Sequence, residues 1–70
     1  MMEYKGYRTV FSEKYGENVH IMKYAGEEKF PYIECSRCGK LIKRTMYVIQ
    51  NTETDVEMEY LGSDCIKHFK

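Results

Sequence analysis

Two short stretches constrain this chain more than anything else in it. Cys35-Ser36-Arg37-Cys38-Gly39-Lys40 lies at mid-chain, and Gly62-Ser63-Asp64-Cys65-Ile66-Lys67-His68 lies near the end. Each offers two soft or borderline ligands three residues apart: Cys35 with Cys38, and Cys65 with His68. Two close pairs joined by a longer loop are the usual ligand pattern of a tetrahedral structural zinc ion. We read them as one Cys3His site holding one structural zinc. His20 is the competing fourth ligand if the first hairpin folds over the site.

The chain has 70 residues, which makes the staple consequential. A core of this size rarely supplies more than about 3–5 kcal/mol. Structural zinc in finger peptides contributes roughly 10–16 kcal/mol at neutral pH. Residues 1–70 therefore read as a single zinc-stabilised domain, with N-terminal β-strands in 1–34 and the metal-binding half in 35–70. The three cysteines are an odd number, whereas a secreted disulfide framework uses an even one. Met1 to Val10 has no apolar h-region of a secretory leader, and no run reaches the length of a membrane span. A cytoplasmic, reducing environment is the expectation, with no membrane partner.

Five stretches carry strand or extended-chain signals. Tyr7 to Ser12 and Val19 to Tyr24 are rich in β-branched and aromatic residues, with Gly16 and Asn18 in the turn between them. Tyr7, Thr9 and Phe11 share one face of the first strand. In the second, either Val19 and Ile21 or His20, Met22 and Tyr24 face the core. Phe30 to Glu34, with Pro31 biasing Phe30 away from helix, reads as a short extended segment completing a three-stranded meander. Lys43 to Gln50 is the next strand, and Asn51 to Thr54 the turn after it. Asp55 to Leu61 then alternates, which predicts Val56, Met58 and Tyr60 in the core and an acidic face of Asp55, Glu57 and Glu59 in solvent. Gly62 breaks that strand, and Ser63 is placed to cap a helix of about two turns.

The ligand chemistry suits these elements. Gly39 allows a positive φ just past the second thiolate, so that backbone N–H groups turn back towards sulfur. Cys65 and His68 on one helical turn share a face, and the helix N-terminus favours a thiolate at Cys65. Cys35, Cys38 and Gly39, then a hairpin, then Cys65 and His68 on a terminal helix, together resemble the treble-clef zinc finger over residues 34–70. Small bacteriophage-type zinc-binding proteins with a Cys-x-x-Cys-Gly and a late Gly-Ser-Asp-Cys look similar as well. The resemblance implies a small α+β, β-rich fold and an accessory, host-directed role.

Nothing in the sequence supplies the orienting third group or oxyanion hole of a cysteine nucleophile, so no enzyme is expected. A closed four-ligand shell also points to a structural metal. The favoured function is an adaptor or regulator that binds another protein, with no small-molecule substrate. Nucleic-acid binding is the alternative. It would use the basic group Arg37, Lys40, Lys43 and Arg44, joined through the zinc by Lys67 and Lys70, with tyrosines for stacking. Eleven basic residues balance eleven acidic ones, so net charge does not decide between the two. The seven tyrosines exceed what so small a core hides, which predicts an exposed aromatic surface.

Overall fold

The strand signals resolve into four strands, β1 (Glu3–Ser12), β2 (Glu17–Ala25), β3 (Thr45–Asn51) and β4 (Glu57–Leu61). The computed structural model describes residues 3–26, 33–42 and 44–70. All neighbouring strands are antiparallel and lie in sequence order, so the sheet is a β1-β2-β3-β4 meander. The extended segment expected at Phe30–Glu34 falls mostly outside the described residues. Its last residue, Glu34, forms an isolated bridge with Leu41 across the cysteine loop.

The expected C-terminal helix is a single 3-10 turn, Cys65–His68, and no α-helix occurs among the described residues. Ser63 does not cap it. Asp64 takes the capping position without a side-chain hydrogen bond, and Phe69 returns to extended backbone at φ −72° and ψ 133°. Four residues cannot repay helix nucleation. The shorter i→i+3 pattern, with the Phe69 N–H donating to the Ile66 carbonyl at 3.2 Å, closes the turn instead.

Register assigns the faces, because directly paired residues project to the same side. Val10 pairs with Val19, Arg8 with Ile21, Ile21 with Ile49, and Ile49 with Glu59. That face carries the buried residues Ser12, Val19, Ile21, Ile49, Glu59 and Leu61, which settles the second strand in favour of Val19 and Ile21. Tyr15, Ile66 and Phe69 pack against the core. β3 is buried on both sides, since Met46 and Val48 on the opposite face are also buried.

Two bulges change what simple alternation predicts. In β1 the register shifts between Tyr4 and Tyr7, where Gly6 has φ 106°. Tyr4, Tyr7, Thr9 and Phe11 thus share a face, but it is not the core face: Tyr7 is 60% and Phe11 63% exposed. In β4 the shift lies between the pairs Ile49–Glu59 and Gln50–Glu57. It puts Glu57 on the side of Tyr60, whose hydroxyl donates to the Glu57 carboxylate at 2.6 Å. The expected division of β4 is corrected accordingly: Glu59 is buried, only 8% exposed, and Val56 is 57% exposed. A bulge adds one residue to one strand, so the period of two fails across it.

Glu59 is tolerated inside because it is neutralised on the spot. Its carboxylate accepts a hydrogen bond from Lys14 Nζ at 2.8 Å and another from the Tyr15 hydroxyl. Beside it, the fully buried Ser12 hydroxyl donates to the Lys70 carbonyl at 2.9 Å, and the Lys14 N–H donates to the same carbonyl at 3.1 Å. The β1–β2 turn thereby holds the C-terminal tail.

Candidate metal centre

The cysteine loop is strapped to the outer edge of β4. The Ser36 N–H donates to the Tyr60 carbonyl at 2.8 Å, and the Tyr60 N–H donates to Ser36 Oγ at 3.1 Å. These are the groups of Tyr60 that the β3 ladder leaves over, since residues of an antiparallel strand turn their backbone alternately to either neighbour. Within the loop, the Gly39 N–H donates to the Cys35 carbonyl and the Cys35 N–H to the Lys40 carbonyl, both at 2.8 Å. Gly39 takes φ 78°, the positive value its place after the second thiol requires.

β4 ends at Leu61, and Gly62 to Asp64 carry the chain round so that Cys65 meets the loop. The side-chain sulfurs of Cys35, Cys38 and Cys65 all lie within 4.8 Å of one another. All three thiols are free. A tetrahedral zinc ion at about 2.3 Å from each sulfur needs them about 3.8 Å apart. The trio therefore fits a metal with adjustments of about 1 Å or less. Cys35 and Cys65 are buried and Cys38 is exposed, so one side of the cluster faces solvent.

The surroundings favour the charged form of the deepest sulfur. Burial alone would raise the Cys35 pKa. The backbone N–H groups of Cys38, Gly62 and Arg37, together with the Cys65 thiol, outweigh it and bring the value down from 9.0 to about 6. These donors are the inward-turned N–H groups expected from the loop, with Gly62 added from the end of β4. Cys65 moves the opposite way. Its hydrogen bond to Cys35 raises it, although the Arg37 guanidinium, with Nη1 3.8 Å from Cys65 Sγ, partly offsets that.

The other candidates separate. His68 is exposed and outside the sulfur cluster; it lines a neighbouring depression with Lys14, Arg37, Glu59 and Phe69. His20 sits on β2, its Nδ1 2.9 Å from Thr9 Oγ1 and its ring edge-on to Tyr7 at 4.8 Å. Lys40 and Arg44 are exposed and line an open cavity of about 790 Å³ that also contains all three cysteines and Asp64. Lys67 is exposed on the 3-10 turn, Lys70 lines the depression with His68, and Lys43 lies outside the described residues.

Sequence reasoning missed Ser36 as the strap, Gly62 as a donor to sulfur and Asp64 as a cavity residue. Only Gly62 carried a signal, as a glycine three residues before Cys65. No helix among the described residues is long and apolar enough to cross a membrane. The chain matches no protein-family model, no curated protein and no solved structure.

Proposed function

We propose that this chain is a metal-stapled β domain in which Cys35, Cys38 and Cys65 hold one zinc ion, and that it serves as a non-enzymatic protein-binding adaptor. The observation that carries the metal reading is the convergence of three free thiols, from two regions about thirty residues apart, within 4.8 Å. Unlinked thiols held this close are a zinc-type donor set. His68, which lies outside the sulfur cluster in the depression beside Cys65, is the alternative to an external fourth ligand. The order of cysteine loop, hairpin and terminal turn supports the treble-clef reading, although the terminal element is a 3-10 turn. The small bacteriophage-type accessory role and the reducing, cytoplasmic location belong to the same reading.

The adaptor half rests on the aromatic side of the β1–β2 hairpin. Tyr4, Tyr7 and Phe11 are each half or more exposed there, as expected of a protein-binding surface. Elemental analysis of protein purified without added metal should give one zinc per chain. Immobilised zinc-loaded protein should then retain a protein partner at high salt. The nucleic-acid alternative is favoured by one feature, the adjacency of Lys40 and Arg44 at the cavity rim. Under that reading, retention on DNA or RNA falls steeply with salt and is abolished by charge reversal at Lys40 and Arg44.

A further inference from the structure

We infer that the fourth coordination position of the metal opens onto the cavity beside Cys38 and binds a ligand carboxylate, held there by Lys40 and Arg44. This inference rests on the proposed metal site and specifies what that site takes. Three observations carry it. First, the cluster supplies three sulfurs, and neither histidine of the chain lies with them: His68 faces the neighbouring depression and His20 is bonded to Thr9. Second, the 790 Å³ cavity is lined by all three cysteines, so a metal bound to them presents its remaining position there. Third, Lys40 and Arg44 line the same space.

Charge selects the ligand class. A divalent ion with three thiolates carries one net negative charge. Lys40, Arg44 and the nearby Arg37 add three positive charges, and Asp64 adds one negative. The surroundings are therefore singly positive, and a monoanion neutralises them where a phosphate dianion overshoots. Carboxylate oxygen is an accepted zinc ligand, and the guanidinium fork matches a carboxylate's two oxygens. The exposed Leu41 side chain on the cavity wall offers a contact for the carbon attached to the carboxylate.

The test uses the full chain with cobalt(II) in place of zinc, which reports the thiolates and the fourth position separately. Acetate should shift the visible d–d bands in a saturable way while leaving the thiolate charge-transfer absorption intact. Lys40→Ala with Arg44→Ala, both exposed positions, should weaken acetate binding about tenfold or more, the usual loss for charge-assisted hydrogen bonds. His68→Ala should leave the spectrum unchanged. A short peptide with a glutamate side chain binding far more tightly than acetate would identify a protein carboxylate as the source; equal binding would identify a small acid. A spectrum that ignores acetate, responds to inorganic phosphate instead, or changes on His68→Ala overturns the inference while leaving the metal site standing. Absence of any thiolate charge-transfer band removes the metal site and the inference together.

Discussion

The C-terminal tail is anchored twice, within six residues, by opposite kinds of chemistry. At Cys65 it meets Cys35 and Cys38, three sulfurs close enough together to hold a metal ion. At Lys70 it meets Ser12 and the Lys14 backbone, next to the Glu59–Lys14–Tyr15 group, whose partners are all supplied by the chain. The polar anchor is complete as soon as the sheet forms. Under the proposed metal reading the sulfur anchor is conditional, because three close thiols gain little from one another until an ion replaces their protons. The difference teaches that one anchor draws only on the chain itself, whereas the other, under the metal reading, is governed by its surroundings.

The sharpest way to break the comparison is Cys65→Ser. It should abolish zinc binding and, with the metal contribution of roughly 10–16 kcal/mol gone, most of the cooperative thermal transition. Chelation of the wild-type protein should reproduce this, read by circular dichroism against temperature. An unchanged melt with metal retained would reverse the ranking of the two anchors.

Glu59→Ala tests the other anchor. It strips partners from Lys14 and Tyr15, but Lys14 is half exposed and regains water. The cost should be about 1–3 kcal/mol in denaturant unfolding, with zinc stoichiometry kept. Loss of zinc from this variant would mean that the anchors are coupled.

A smaller effect is expected at alkaline pH. Burial, and then the hydrogen bond to Glu59, raise Tyr15 from 10.0 to about 12. A pKa raised by folding contributes stability that is present below the unfolded value and lost as pH rises towards the folded one. Stability of the zinc-loaded protein should therefore decline between pH 10 and pH 12, and Tyr15→Phe should flatten that decline. The smallest effect belongs to Phe11→Ser on the open face, within about 0.5 kcal/mol by the same unfolding assay.

The parts of the molecule set by local pattern were legible in advance. β-branched and aromatic runs separated by glycine and asparagine turns located all four strands, and cysteine spacing located the sulfur trio. What escaped depends on partners distant in sequence. Glu59 looked like a solvent-facing acid because its neutralising groups sit 44 and 45 residues away, in the β1–β2 turn. Tyr7, Thr9 and Phe11 were correctly grouped on one face. Nothing within the strand itself indicated that the core would form on the side of Val10 and Ser12. The β4 bulge turned a clean alternation misleading, since one inserted residue reverses every side chain beyond it. Spacing alone pairs His68 with Cys65, yet His68 stands outside the sulfur cluster and lines the neighbouring depression.

The Ser36 strap also bears on how copies of this protein can associate. By occupying the outward backbone groups of Tyr60, it covers part of that margin of the sheet and disfavours lateral pairing there. Among the described strands, β1 at the other margin is the one whose outer side carries no such strap. Pairing through one margin closes on itself at two copies, whereas a fibre needs two open margins per subunit, so the strap acts against open-ended growth.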